Sequence, residues 1–384
     1  MPVAEARSGP GILEGLAERI ARRIAHQGPM TLAEYMAVAL GDPAQGYYMR
    51  GDPLGARGDF VTAPEISQMF GELLGLWCAE TWSRMGAPDP VHLVELGPGR
   101  GTLMADALRA LGRVPEFLGA VRLSLVEISP ALRARQREAL REILKPAALR
   151  RAPQWHETLD GVPRGPLLLI ANEVFDALPI RQFVRKDGAW CERMVALDKD
   201  GRRLAFALRP ARLEAAALLP PEAEAVPEGG TFEVSAAASG LAAEIGRRLA
   251  EDGGAALILD YGAARSPGEP TLQALRRHAR HEVLSAPGTA DLTAHVDFSA
   301  LARGAEAAGA RAWGPVPQGA FLSALGIEAR AETLSRGLAP EKAKGIAADL
   351  ARLTAPEHMG MLFKALALTH PGLGAPAGFG PGVA

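Results

Sequence analysis

The chain has 384 residues, 48% of them hydrophobic and 22% charged, with a formal net charge of −2. That length fits one large domain with insertions, or two domains, and the apolar share supplies a sizeable core. A balance this even gives no global drive toward nucleic acid or anionic membranes, and neither is expected as a partner.

In chain order, Ile12, Leu13, Leu16, Ile20 and Ile24 recur at helical spacing and predict a helix over 12–26. Thr31-Leu-Ala-Glu34 is a capping box that opens a second helix to about Leu40. The stretch 41–63 is rich in glycine and also holds Tyr47, Tyr48, Arg50, Arg57, Asp59 and Phe60. A loop of this length and composition reads as functional. Thr62-Ala-Pro-Glu65 has the pattern of another capping box, starting a helix of about 20 residues over 62–84.

From Val91 the rhythm changes to alternating strand and helix. Strands are predicted over 91–96, 121–127, 154–157, 167–173 and 255–261, with helices after the first two. Ser129-Pro130 supplies an N-cap followed by proline at the first helical position. The run 167–171 is continuously apolar, as in a parallel strand buried on both faces. The pattern is that of a doubly wound α/β sheet. The interval 181–252 breaks it with a β-rich insertion (181–185, 190–197, 231–235). A polar loop follows over 262–296, then a helix over 298–308, and last strands over 311–317 and 361–369 enclose a helical insertion, 318–356. The expected division is an N-terminal cap over 1–85, a core over 86–180 and 253–370, the insertion, and a frayed tail over 371–384.

Several exclusions follow. Cys78 and Cys191 stand far apart and outside any CxxC pattern, which rules out a disulfide scaffold and a cysteine zinc site. The longest apolar runs fall far short of the ~20 residues of a membrane helix. Glu5, Glu14 and Glu18 and the lack of an apolar h-region speak against a secretory signal, while Arg19, Arg22 and Arg23 leave a mitochondrial presequence open. The expected compartment is the cytoplasm of a bacterium, or the mitochondrial matrix in a eukaryote. Only 6 of the 42 basic residues are lysine, so Arg133, Arg135 and Arg137 read as a solvated helix face.

The sharpest chemical signal is Glu95-Leu-Gly-Pro-Gly-Arg-Gly101 at the end of the first core strand. Glycines there let backbone approach a ligand, and the next helix offers free N–H groups. The nicotinamide fingerprint needs G-x-G-x-x-G, but position 102 is Thr. The G-x-G-x-G form after an acid resembles the first motif of S-adenosylmethionine methyltransferases. Its cofactor-side residues are Glu95, Gly97, Pro98, Gly99 and Gly101. Glu127, ending the second strand, fits an acid that accepts from ribose hydroxyls. Asn172-Glu-Val-Phe-Asp-Ala-Leu-Pro179 ends the fourth strand, where ligands of open α/β sheets sit. Glu173 and Asp176, three apart, face one cavity if a helical turn follows, and two carboxylates there suit a cationic acceptor such as guanidinium. Asn172 belongs to the cofactor side. Trp155 and His156 are either adenine contacts or a packed aromatic beside a satisfied histidine. His295, between Asp291 and Asp297, lacks a further ligand at metal spacing and reads as a structural or substrate-contacting group, with no metal expected.

Six stretches together resemble one family: Arg57-Gly-Asp-Phe-Val-Thr-Ala-Pro-Glu-Ile-Ser-Gln68, Glu95-Leu-Gly-Pro-Gly-Arg-Gly-Thr-Leu103, Asn172-Glu-Val-Phe-Asp-Ala-Leu-Pro179, Asp291-Leu-Thr-Ala-His-Val-Asp-Phe298, Gln318-Gly-Ala-Phe-Leu-Ser-Ala-Leu-Gly-Ile327 and Met359-Gly-Met-Leu-Phe-Lys364. The chain resembles the MidA family, which includes the mitochondrial arginine methyltransferase that assists assembly of respiratory complex I. The likeness runs over roughly 12–370. It implies a seven-stranded class I methyltransferase sheet with an elaborated second region, S-adenosyl-L-methionine as cofactor, and methylation of an arginine ω-nitrogen on an NADH dehydrogenase subunit. Arg57, Asp59, Glu65 and His295 are then expected on the substrate side, with the 41–63 loop and the 62–84 helix closing over the cofactor. Glu173 is the first choice for removing the proton and Asp176 the second. A small-molecule or lipid methyltransferase, or a non-catalytic assembly factor, remains the alternative, and no oligomeric state is fixed, a dimer included.

Overall fold

The computed structural model describes residues 15–49, 62–144, 149–264 and 268–380. Arg57 and Asp59 lie outside the described residues.

Seven segments pair edge to edge along the main sheet, with the two-residue strand Val296–Asp297 added beside the end of the fifth: β1 (Val91–Leu96), β2 (Val121–Val126), β3 (Gln154–His156), β4 (Leu167–Asn172), β5 (Gly254–Ala263), β6 (Arg311–Pro317) and β7 (Phe363–Thr369). Their spatial order is β3-β2-β1-β4-β5-β7-β6. Strands β1 to β5 run parallel, while β7 runs antiparallel to both β5 and β6. The alternating side chains of β4 explain its unbroken apolar run. Leu168 and Ile170 enter one core, with Phe70, Leu74 and Trp77 of the Gln68–Arg84 helix and Leu103 and Leu111 of the Thr102–Leu111 helix. Leu167, Leu169 and Ala171 enter the other, with Ile245 and Leu249 of the Ala236–Asp252 helix and Phe298 and Leu301 of the Phe298–Ala307 helix. The chain winds from β1 outward through β2 and β3, then returns to place β4 on the other side of β1. A crevice therefore opens between the carboxyl ends of β1 and β4, the topological switch point.

Capping follows the sequence at one site and departs from it at another. Thr31 and Glu34 form the reciprocal box, with Thr31 N–H donating to Glu34 Oε2 (2.8 Å) and Glu34 N–H to Thr31 Oγ1 (3.1 Å). The predicted box at Thr62 does not form. A short helix, Ala63–Ile66, stops at Ser67, whose hydroxyl caps the separate Gln68–Arg84 helix. Glu65 is drawn instead to the start of the Thr102–Leu111 helix, where its Oε1 accepts from Thr102 Oγ1 at 2.5 Å.

The insertion is a five-stranded antiparallel sheet of Met30–Thr31, Arg181–Lys186, Ala189–Leu197, Leu204–Pro210 and Thr231–Val234. Leu204–Pro210 escapes the sequence reading because it is an edge strand with Phe206 and Leu208 exposed. The Ala236–Asp252 helix, counted above with the insertion, packs on the main sheet as the crossover from β4 to β5. Within the predicted loop 262–296 lie three short paired strands, Gln273–Arg276, Ala279–His281 and Asp291–Thr293.

The frayed tail is also corrected for residues 371–380. The Ala377 carbonyl accepts from Trp77 Nε1 (3.1 Å), and the buried Phe379 packs 5.3 Å from Phe321, ring to ring. Phe379→Ala is expected to cost about 3 kcal/mol in a denaturant titration, the usual loss for emptying a buried aromatic site.

Candidate active site

The crevice holds a cavity of about 260 Å³. Its floor is the turn after β1. Gly97, Gly99 and Gly101 all have positive φ (58°, 53° and 85°), a conformation that disfavours side chains. A Cβ on Gly97 would also stand 2.8 Å from Val174 Cγ2. Gly97→Ala is therefore expected to strain the turn and weaken S-adenosylhomocysteine binding about tenfold by calorimetry, with little effect on helix content.

Glu95, the penultimate residue of β1, reaches the cavity. It is buried, and desolvation pushes its carboxyl up to about 8. Its Oε2 has no hydrogen-bond partner among the described residues. A buried acceptor without a donor is costly, and an ammonium group would complete it. Glu127 stands across the cavity at the end of β2, with Oε1 accepting from Ser129 N–H (2.8 Å) and Oε2 from Gln136 Nε2 (3.3 Å). Burial raises its pKa, against those hydrogen bonds. Ile128 and Leu132 supply apolar wall beside it. An unpaired acid, a glycine cradle with no room for Cβ, and an acid beside an apolar wall fit the amino group, main body and ribose of an S-adenosyl nucleoside.

The far wall is the turn after β4. Glu173 holds φ at 52°, a strained value for a non-glycine residue. Its Oε1 accepts from Ala63 N–H (3.0 Å) and Asn172 Nδ2 (3.1 Å), so it also clasps the N-terminal segment. Asn172 Oδ1 has no partner among the described residues. Beneath the turn, Asp260 of β5, one residue past the last pair of the β4–β5 ladder, accepts through Oδ2 from the N–H groups of Val174 (3.2 Å), Phe175 (2.9 Å) and Asp176 (3.2 Å). Asp260 is the functional residue the sequence reading missed, its only signal being an acid at the tip of an apolar strand. Tyr48 lines the same wall, and its hydroxyl donates to Asp291 Oδ1 (2.8 Å).

Burial raises Glu173 to about 7. Burial, and then the charge of Glu173, raises Asp176 to about 7. Asp260 is raised well above the carboxylate range, by burial and then by Asp176 and Glu173. Among the described residues no lysine or arginine pairs with any of the three. These three acids are buried together, and Arg100, the basic residue in the described lining of this cavity, is paired with Glu65.

One cavity thus brings together Glu65, Glu95, Gly97, Pro98, Gly99, Glu127, Asn172, Glu173 and Asp176. Gly101 stands just behind it, where a Cβ would come 3.2 Å from Gln136 Cα. Glu65 lies on the glycine-turn side, held by Thr102 and by Arg100 (3.5 Å). Trp155 and His156 are not in the lining. Trp155 turns toward the Pro130–Leu144 helix, donating Nε1–H to Gln136 Oε1 (2.9 Å) with Arg137 over its ring. His156 contributes its carbonyl, which accepts from Glu127 N–H (2.9 Å). His295 lines a second cavity of about 350 Å³ behind Phe175 and Ile180, and its ring meets Tyr261 edge-on.

An antiparallel β7 slipped between β5 and β6, together with the G-x-G-x-G turn after β1, defines a class I S-adenosylmethionine-dependent methyltransferase. Comparison with known proteins gives the same class. Residues 73–316 match the family model described as "Putative S-adenosyl-L-methionine-dependent methyltransferase". The chain is 37% identical to "Protein arginine methyltransferase NDUFAF7, mitochondrial" of Danio rerio, over 93% of this chain and 87% of the relative. It is also 37% identical to the Homo sapiens protein of the same name, over 90% and 81%. The crystal structure of a COG1565 superfamily member from Burkholderia thailandensis, bound to S-adenosyl-homocysteine, superposes with a TM-score of 0.81 at 33% identity, covering 94% of this chain and 93% of that one. The chain belongs to this family of S-adenosyl-L-methionine-dependent methyltransferases, the MidA-like family its motifs resemble.

Proposed function

We propose that the protein methylates an arginine ω-nitrogen on a protein substrate, with Glu173 and Asp176 receiving the guanidinium. The observation that carries this reading is the set of buried acids at the β4 tip, Glu173, Asp176 and Asp260, whose carboxyls burial and mutual repulsion raise and which no lysine or arginine among the described residues pairs with. A guanidinium offers five N–H donors and a fixed positive charge, which suit two carboxylates better than an alcohol, thiol or lipid would. The arginine methyltransferases of Danio rerio and Homo sapiens that this chain resembles support the same acceptor.

When bound, S-adenosylmethionine supplies an electrophilic methyl on a sulfonium, whose leaving group is a neutral thioether that needs no acid. What remains for the chain is alignment, exclusion of water and removal of one proton. The guanidinium is a poor nucleophile because it is protonated. Glu173 and Asp176 hold it, bias electron density toward one nitrogen and accept the proton that leaves that nitrogen, Glu173 first. Glu95 and Glu127 bind at the cofactor side and take no part in that transfer. We further propose an NADH dehydrogenase subunit of complex I as the substrate, following the family resemblance. The working compartment is then the bacterial cytoplasm or the mitochondrial matrix. No helix among the described residues is long and apolar enough to cross a membrane.

The test is incubation of the purified chain with methyl-labelled cofactor and extract from cells lacking the gene. Label in a protein band, mapped by mass spectrometry to arginine, is the expected result. Label confined to the organic phase would replace this reading with a lipid acceptor.

A further inference from the structure

Gln136 lies on the Pro130–Leu144 helix, outside every motif named above, yet it is fully buried and touches three parts of the cofactor site. Its Nε2 donates to the Gly99 carbonyl at 2.8 Å and to Glu127 Oε2 at 3.3 Å. Its Oε1 accepts from Trp155 Nε1–H at 2.9 Å. Its backbone packs where any side chain at Gly101 would go.

The chemistry of these partners fixes the orientation of the amide. An indole N–H only donates, so the oxygen of Gln136 must face Trp155. A carbonyl and a carboxylate only accept, so the nitrogen must face Gly99 and Glu127. With the amide reversed, its oxygen would meet the Gly99 carbonyl and the Glu127 carboxylate and its nitrogen the indole N–H, leaving all of these groups unmatched. Trp155 therefore acts as a latch that keeps a donor pointed at the acid of the ribose subsite.

We infer that Gln136, locked by Trp155, is a positioning residue for cofactor binding: it ties the glycine turn to Glu127 and holds that carboxylate in its ribose-facing place. Other charged or titratable groups around the pair are Arg133, whose Nε donates to the Glu127 carbonyl (2.7 Å), His156 on β3, Arg137 over Trp155, and Glu95 across the cavity. Among the hydrogen bonds described for them, only the Gln136 amide reaches Glu127 Oε2.

Two variants test this through calorimetric binding of S-adenosylhomocysteine to the full chain. Gln136→Glu replaces the donor by an acceptor beside Glu127. Two carboxylates so close repel when both are charged, but share a proton when one is neutral. The variant is expected to bind on the order of thirtyfold more weakly than wild type at pH 8.5. That ratio should shrink to about threefold at pH 5.5, where a protonated carboxyl donates again. A merely structural role for Gln136 would not produce a ratio that closes as pH falls. Trp155→Phe keeps an aromatic face for Arg137 and removes the indole N–H that forms the latch. It is expected to weaken binding about fivefold, while the ligand-free unfolding midpoint moves by no more than about 2 °C. Wild-type affinity in Trp155→Phe overturns the proposal, whether or not Gln136→Glu folds. So does a Gln136→Glu deficit that is the same at both pH values.

Discussion

Glu173→Gln and, separately, Asp176→Asn are expected to lower turnover at least about a hundredfold while S-adenosylhomocysteine affinity stays within about threefold of wild type. The amide at 173 keeps an oxygen that can accept from Ala63 N–H and Asn172 Nδ2, so the clasp on the N-terminal segment persists. The backbone strain at 173 persists as well, since it is set by φ rather than by the head group. What disappears is the charge that holds the acceptor cation and the lone pair that takes its proton. Wild-type kcat/KM should rise with pH through about 7, because both carboxyls are held near that value by burial and the acceptor needs them ionised. In Glu173→Gln the rising limb should move to lower pH, since the charge of Glu173 is one of the causes that raise Asp176. Rapid-quench single turnovers across that range give both readings. Wild-type single-turnover rates in both variants would remove these acids from the chemistry.

The parts of this site that were legible in the sequence are those whose backbone admits few residues. Positive φ at 97, 99 and 101 calls for glycine, and glycines spaced so after a strand announce the turn. The acids at 127 and 173 stand at strand ends, where the sheet's winding puts ligands. Asp260 carried no such mark. A lone acid at a strand tip reads like a solvated one, and its role follows from register. Leu259 pairs with Asn172 across the β4–β5 ladder, which sets Asp260 beneath the amides of 174–176. Hairpins divide in the same way. Asp187-Gly188, at φ of 51° and 72°, supplies a turn signal between Arg181–Lys186 and Ala189–Leu197. Arg277 and His278 adopt the same left-handed pair (51° and 62°) without glycine, so the hairpin they close looked like loop. Trp155 was ambiguous because period-2 alternation tells which face a side chain takes only when the strand's neighbours are known. The Thr62–Glu65 pattern misled because a capping box is local, whereas Glu65 found a stronger partner 37 residues away in Thr102.

Binding of S-adenosylhomocysteine at pH 7 should release close to one proton, and Glu95 should be its source. Before binding, Glu95 is held up to about 8 by burial and is mostly neutral at pH 7. The ligand's ammonium set against Oε2 favours the ionised form, so the proton leaves as the ligand enters. Affinity should therefore climb with pH between about 6 and 8 and level off above. Titrations in buffers of different ionisation enthalpy count the proton directly. Glu95→Gln should release none, and should bind on the order of fiftyfold more weakly through loss of the charge-assisted contact. 5′-Methylthioadenosine, which lacks the amino-acid portion, should bind both proteins alike with no proton change. The ligand-free protein pays for this arrangement with a pH slope of the opposite sign. A carboxyl raised on folding contributes stability that is complete below its unfolded pKa and is lost as pH rises through about 8, a span worth on the order of 5 kcal/mol. Glu95→Gln has no such group to ionise, so above pH 8 it should unfold at higher denaturant than wild type while binding ligand worse. A variant that gained neither stability at high pH nor lost the released proton would show that the ammonium has another partner in this cavity.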